Sequence, residues 1–432
     1  MNIGFIGLGK LGLPVAVAMA SKGHDVLGHD ADPARMNKDS KPGIEAGPHG
    51  VGSFDDELAK STIRFGAMAE VAAHAEIVFI AVQTPHGPEY EGITPLPESR
   101  ADFDYTYLKA VVAELAKLIE RDTLIAIVST VLPGTCRREL LPLCNNHMRL
   151  VYNPSFIAMG TTMFDFFNPE IVLCGAGNGD DHDAMERFYK TIVPRAHFFA
   201  CSLETAELIK VAYNTFIGQK IVFANAMMEI CQRIPEADCD DVSRAMALST
   251  RRLISPAYLK GGMGDGGACH PRDNIAMSWL ARKLGLGFDL FGGLMEGRER
   301  QAEWIAERMI EYADPLPWAD RLDYTAAGPL VIVGYAYKPG TDLTTGSAAL
   351  LVADILKKRG YPVIKIDPRC DGGTVEAALA AIEGPPPVIL IGCNHPEYVD
   401  VEWPLGSIVI DPWRYIADQE GVTVLRLGEG GQ

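Results

Sequence analysis

The chain opens on a short apolar strand pattern, Asn2-Ile3-Gly4-Phe5-Ile6, then a glycine-rich turn and an alanine-rich run that predicts a helix from about Leu11 to Lys22. A second strand is predicted to end at Asp30. Further apolar runs at Ile77 to Val82, Leu124 to Ser129 and Ile171 to Cys174 alternate with helical stretches such as Tyr105 to Ile119. Strands of this kind, separated by helices, predict a parallel sheet covered by helices on both faces.

The pattern changes at Ser202. From there to Arg233 one long helix is predicted, with Ser202 as its N-cap and Pro235 beyond its end; a helix of that length joins domains or packs on another subunit. More helices follow to about Tyr312, and the stretch Asp314 to Gly328, carrying Pro315, Pro317 and Gly328, reads as a linker. The alternation then restarts. Strands are predicted at Leu330 to Gly334, Val363 to Asp367, Val388 to Gly392 and Ile408 to Asp411, with helices near Ser347 to Arg359 and Val375 to Ile382. The expected architecture is α/β: two Rossmann-like doubly wound domains, 1–200 and 314–432, joined by a long central helix and a small helical domain at 201–313.

Composition narrows the function. A chain of 432 residues with 48% hydrophobic content can bury several cores, and its formal charge of -17 repels a phosphate backbone with no Lys/Arg run to offset it. Nucleic acid is therefore excluded as a partner, while a small anion held by a helix N-terminus is not. The nine cysteines form no CxxC pair and no dense disulfide framework, so no metal ligand set is expected and a reducing, cytoplasmic setting is. The first twenty residues lack a basic segment and are interrupted by Gly7, Gly9 and Gly12, and no apolar run has the length of a membrane span.

Gly7-Leu8-Gly9-Lys10-Leu11-Gly12 is a GxGxxG that follows a strand, opens a helix, and precedes an acidic residue at the end of the next strand, Asp30. In that context it predicts a dinucleotide site. The glycines admit the pyrophosphate, the helix N-terminus faces its charge, and the Asp30 carboxylate accepts ribose hydroxyls while repelling a 2'-phosphate, which selects NAD over NADP. Arg35 could contact the adenosine ribose or lie in solvent.

Four more segments stand at telling places: Ser129-Thr130-Val131-Leu132-Pro133-Gly134-Thr135, Glu207-Leu208-Ile209-Lys210 with Asn214, Gly264-Asp265-Gly266-Gly267-Ala268-Cys269-His270-Pro271-Arg272-Asp273, and Gly334-Tyr335-Ala336-Tyr337-Lys338-Pro339-Gly340-Thr341-Asp342. With the glycine turn, in this order and spacing, they resemble the UDP-glucose/GDP-mannose dehydrogenase family over nearly the whole chain. The resemblance implies an NAD-dependent, two-step oxidation of a nucleotide-sugar primary alcohol to a carboxylate in a homodimer or higher homo-oligomer. UDP-glucose is the default substrate, with GDP-mannose or a UDP-N-acetylhexosamine behind it.

The residues support that chemistry. A free aldehyde between two hydride transfers would escape; a cysteine thiolate prevents this by forming a thiohemiacetal that is oxidised to a thioester and then cleaved by water. Cys269 lies in a glycine-rich loop leading into a helix predicted to start near Asp273, whose dipole favours the thiolate; the other eight cysteines read as inert core residues. Lys210 and Asn214, four apart on the long helix, share a face and can reach one oxyanion, although Lys210 could instead pair with Glu207. Asp273 resembles the family aspartate that holds a water, with a helix N-cap as the alternative, and Thr130 resembles the threonine that orients it or is a satisfied strand-end hydroxyl. Lys338 matches a lysine that meets the nucleotide-sugar. The resemblance further implies Leu11, Thr84 and Thr130 at the cofactor, and Tyr258 and Gly266 at the substrate with Lys210 and Asn214.

The family pattern is broken in places. Ser155 and Met159 stand where two glutamates are usual, one of them the expected base for thioester hydrolysis. Thr345 replaces an arginine, Leu253 replaces a substrate-binding arginine reached across the dimer with Arg252 adjacent, Asp265 replaces an aromatic residue, and Arg272 replaces a lysine. These changes gather in the substrate and hydrolysis regions. A one-step beta-hydroxyacid dehydrogenase, and a non-catalytic NAD or nucleotide-sugar binding protein, are the competing readings.

Overall fold

Short, mostly apolar strands build two sheets, the first parallel but for one pair and the second wholly parallel. The first contains β1 (Asn2–Ile6), β2 (Asp25–His29), β3 (Arg64–Phe65), β4 (Ile77–Ile80), β5 (Thr123–Ile127), β6 (Met148–Tyr152), β7 (Val172–Gly175) and β8 (Phe198–Cys201), in the order β3-β2-β1-β4-β5-β6-β7-β8. All its neighbours pair in parallel except β6 and β7. The second contains β9 (Leu330–Val333), β10 (Val363–Ile366), β11 (Val388–Ile391), β12 (Ile408–Asp411) and β13 (Thr423–Arg426), in the parallel order β10-β9-β11-β12-β13. β4, β9 and β11 are buried along their whole length, as the helix-covered faces of a doubly wound sheet require.

This computed structural model describes residues 1–37, 54–253, 255, 257–264, 267, 269–313 and 328–429. They pack as two units: Met1–Pro85 with Phe103–Tyr213, and His86–Asp102 with Asn214–Gln432. The helices that matter below are α1 (Gly12–Ser21), α2 (Thr106–Leu118), α3 (Leu203–Gln232), α4 (Cys269–Lys283), α5 (Leu290–Ala313) and α6 (Ala348–Lys358). The predicted elements therefore form, and Ser202 does cap α3 through Thr205 N–H. Apart from Gly328, the expected linker lies outside the described residues.

The sequence pattern did not single out β3, β6, β8 and β13, each five residues or shorter. It also did not separate the segment 86–102 from the surrounding first domain. That segment packs in the second unit: Tyr90 joins a small buried cluster with Ile275 of α4 and Met295 of α5.

Candidate active site

The first unit holds the cofactor turn. Gly7 has φ +95°, and a side chain there would stand 2.7 Å from the Ala81 carbonyl oxygen; at Gly12 it would stand 1.8 Å from the Gly7 carbonyl oxygen. Backbone meets backbone at both positions, so only glycine closes the turn and lets α1 pack on β1. At Gly9, by contrast, the nearest atom would be the Arg35 guanidinium, 3.7 Å away. Open backbone at the start of α1, whose first turn carries no acidic residue, fits a bound pyrophosphate.

Asp30 follows β2 and is 8% exposed. One carboxylate oxygen accepts the Leu8 N–H at 2.7 Å and the other accepts the Asp32 N–H at 2.9 Å. Arg35 lies half-exposed, with its guanidinium 3.8 Å from Asp30 and 3.5 Å from Asp32. The acid thus builds the turn in addition to any contact with ribose. Thr84 and Thr130, at the ends of neighbouring strands, are joined by the Thr84 hydroxyl donating to the Thr130 carbonyl at 2.8 Å.

Replacing Asp30 by Ala is therefore expected to weaken both dinucleotides by loosening the turn, and NAD by about 10-fold more than NADP, the scale of a lost hydrogen bond to a charged group. Titration of both cofactors checks this, and equal losses would mean that Asp30 only builds the turn.

Lys210 of α3 is nearly buried and donates to the Ser155 carbonyl at 2.8 Å, with its ammonium 5.0 Å from the centre of the Phe156 ring. Glu207, the alternative partner expected for this lysine, accepts the backbone N–H groups of Gly134 and Cys136, and burial pushes its carboxyl above the ordinary range. Ser155 lines a cleft with Phe156, Asp165, Phe166 and Tyr189. Asp165, the carboxylate in that cleft, accepts from Ala158 N–H at 2.9 Å and the Thr161 hydroxyl at 2.8 Å. The loop where two glutamates are missing is thus ordered by an aspartate that the sequence reading passed over.

The second unit holds the cysteine, and two expectations are corrected there. Helix α4 begins at Cys269 itself, not near Asp273, because Pro271 falls in the first turn, where its missing N–H has no partner to lose. Asp273 is consequently no N-cap. It lies one turn inside α4, fully buried, and accepts from the Asn214 amide at 2.7 Å and from Arg272 at 3.3 Å. His270 meets the Asn214 carbonyl through Nδ1 at 3.0 Å. Lys210 and Asn214, expected to converge on one oxygen, are here each held by a different partner.

Cys269 is the exposed one among the free cysteines, at a helix N-terminus. Cys136, Cys174, Cys231, Cys239 and Cys393 are buried as expected, but Cys144, Cys201 and Cys370 are half-buried, not core. Burial pushes the Cys174 thiol up to about 12 and the Cys239 thiol up to about 11, which suppresses their thiolates at neutral pH.

Lys338 follows β9, its ammonium 5.7 Å from the Tyr337 ring centre. That turn is pinned as the cofactor turn is. The buried Asp367, at the end of β10, accepts the Tyr335 and Ala336 N–H groups at 2.7 Å each, the counterpart of Asp30 and Leu8. Sequence reasoning missed this role, although an acid closing the second strand of the restarted alternation was the signal for it. His86 was missed too. Its ring packs 5.6 Å from that of Tyr90, and burial, then the charge of Arg272, hold the imidazole down at about 4 against the opposing effect of Asp273.

Tyr258 is exposed with φ +65°, Thr345 is exposed, and Leu253 ends the short helix Thr250–Leu253. Gly266 and Asp265 lie outside the described residues, as does the Arg252 side chain. Among the described residues no His/Cys/Asp/Glu cluster could hold a metal ion, and no helix is long and apolar enough to cross a membrane.

A strand-turn-helix with this glycine pattern and a strand-end acid defines an NAD-binding protein of the Rossmann class. Comparison with known proteins extends this. Residues 1–193 match the NAD binding domain, and residues 204–297 the central domain, of the UDP-glucose/GDP-mannose dehydrogenase family. The chain belongs to that family, whose members are oxidoreductases acting on CH-OH groups. It is 28% identical to the UDP-glucose 6-dehydrogenase of Rickettsia bellii (strain RML369-C), over 85% of this chain and 81% of that protein. It is 27% identical to the UDP-glucose 6-dehydrogenase of Rhizobium meliloti (strain 1021), over 96% and 90%. Among solved structures, a UDP-glucose dehydrogenase from Pyrobaculum islandicum superposes with a TM-score of 0.83 at 25% identity, over 100% of this chain and 98% of that one. A UDP-D-ManNAc dehydrogenase from Pyrococcus horikoshii shares the fold, with a TM-score of 0.78 at 23% identity over 99% of each chain.

Proposed function

We propose that the protein oxidises the C6 primary alcohol of a nucleotide-sugar to a carboxylate in two steps through Cys269, with UDP-glucose as the default substrate. The observation that carries this reading is the exposed Cys269 in the first turn of α4, one turn before a buried Asp273 that is hydrogen-bonded to Asn214. The relatives named as UDP-glucose 6-dehydrogenases support the substrate class.

NAD, when bound at the Gly7–Gly12 turn and read by Asp30 with Arg35, Leu11, Thr84 and Thr130 nearby, supplies the hydride acceptor for both oxidations. The chain's own groups do the rest. The Cys269 thiolate adds to the aldehyde carbon, giving a thiohemiacetal; loss of a hydride from that carbon leaves a thioester, and water attack releases the acid and returns the thiol. Lys210 and Asn214 carry the donors suited to the oxyanions of the tetrahedral steps, and Asp273, with Thr130, is assigned the hydrolytic water. Lys338, Tyr258 and Gly266 are assigned to the nucleotide-sugar, in a division of 1–200 for NAD, 201–313 for the cysteine and dimerisation, and 314–432 for the sugar nucleotide. Two NADH formed per nucleotide-sugar consumed is the expected stoichiometry, measured by absorbance against product analysis; one NADH with release of a carbonyl compound would replace this reading with the one-step dehydrogenase.

The same reading makes the protein a homodimer or higher homo-oligomer in a reducing cytoplasm, where its cysteines stay free. Phe216, Phe223 and Ile230 of α3 are exposed at seven-residue steps, so they lie on one face of the helix. Phe223→Glu is expected to shift the dimer to monomer in sedimentation analysis, because each copy then brings a charge to a self-complementary apolar contact. An unchanged mass would remove α3 from the interface.

A further inference from the structure

Arg298, in the middle of α5, is only 2% exposed. A guanidinium taken out of water is costly unless carbonyls or carboxylates replace its hydration, so its partners reveal what it holds. One terminal nitrogen donates to the Gly92 carbonyl and lies 3.4 Å from the Gly346 carbonyl oxygen. Gly92 belongs to the segment 86–102. Gly346 belongs to the loop that runs from Lys338 to the Ser347 cap of α6. The two loops also meet directly, with the Gly346 N–H donating to the Glu91 carbonyl at 2.9 Å.

The rest of the 86–102 segment is fastened by α5 and by α4. Glu299, next to Arg298, accepts the Leu96 N–H at 2.6 Å, and Arg282 of α4 donates to the Glu98 carbonyl at 3.0 Å. At its other end the segment lies on the cysteine helix: a side chain at Gly92 would stand 3.3 Å from Pro271, two residues from Cys269. The His86 ring packs 5.6 Å from that of Tyr90, which itself packs on Ile275 of the same helix.

We infer that Arg298 is a positioning residue, whose buried guanidinium ties the 86–102 segment to the loop after Lys338 and so fixes both beside the α4 turn that bears Cys269 and Asp273. Thr345, where the arginine expected by resemblance is missing, immediately precedes Gly346, so this loop is held from within by a side chain of α5. The inference rests on the proposed function in one respect, the assignment of the Lys338 loop to the nucleotide-sugar.

The test compares Arg298→Met, which keeps an unbranched apolar stem without donors, with Arg298→Lys, which keeps a cation able to reach carbonyls. The full-length protein is titrated with NAD and, separately, with UDP-glucose. The expected result for the Met variant is at least about 10-fold weaker UDP-glucose binding, the scale of losing hydrogen bonds from a charged group, with NAD binding unchanged because the cofactor turn belongs to the other unit. Arg298→Lys should restore most of the loss. A second readout needs no sugar: Arg100 is the one Lys or Arg between 86 and 102, and trypsin should cut after it several-fold faster in the Met variant than in the parent.

Parental cleavage and parental UDP-glucose binding in the Met variant would overturn the inference, as would equal weakening of NAD and UDP-glucose, which would mark Arg298 as a general stability residue. If the parent itself fails to bind UDP-glucose, the substrate assignment fails, and cleavage after Arg100 still decides whether Arg298 holds the segment.

Discussion

Replacing Cys269 by Ser is expected to abolish acid formation, by on the order of 10³-fold or more, the scale on which loss of a nucleophile acts when the rest of a site is intact. The serine hydroxyl occupies nearly the same place at the first turn of α4 but is not ionised near neutral pH, so it adds poorly to the aldehyde and the second oxidation has no thiohemiacetal to act on. Product analysis should find aldehyde, or its hydrate, at about one NADH per sugar. NAD binding should be unaffected, because the cofactor turn is built from Gly7, Gly12 and Asp30 in the first unit. Acid released at a rate near the parent's would remove Cys269 from the chemistry. The other cysteines are poor substitutes, being buried or half-buried.

The second large effect concerns hydrolysis. Ser155 stands where the family pattern places a base, its carbonyl accepts from Lys210, and the aspartate of its cleft, Asp165, is engaged by Ala158 and Thr161. A positioned general base contributes about 10² to 10⁴-fold to a proton-transfer step, so thioester cleavage should be the slow step while both oxidations stay fast. Rapid mixing of the protein with NAD and its substrate should give a burst of close to two NADH per site, then slow turnover. Denaturing mass spectrometry should find a sugar-acyl adduct on the Cys269 peptide, and Ser155→Glu should raise the steady rate. Linear NADH production with no adduct would mean that another group already serves. Asp273 is the first candidate, although its two oxygens are shared with Asn214 and Arg272 and it is fully buried.

The cofactor half was legible because its signals are local. Gly7, Gly9, Gly12 and Asp30 lie within one strand-helix-strand unit; at Gly7 and Gly12 the backbone leaves room for glycine alone, and Asp30 accepts backbone N–H groups of the same unit. The α/β alternation and the length of α3 were legible for the same reason: apolar period reports which faces are buried without reference to distant chain. Motif resemblance brought out Cys269, Lys210, Asn214 and Asp273, but not how they are held.

What holds them comes from far along the chain. Lys210 meets Ser155 across 55 residues, Asn214 meets Asp273 across 59, and Arg298 meets Gly92 across 206. No periodicity encodes such pairings; they arise when packed helices bring polar groups out of water and each must take the partner that is left within reach. The same necessity made Asp273 a buried acceptor of the Asn214 amide, not the helix cap that was its alternative reading, and drew 86–102 out of the first domain's sequence into the second unit's packing. Asp367 lies between the two cases: its place at a strand end could be read from the sequence, but its full burial under the Tyr335–Ala336 turn depended on the sheet closing around it.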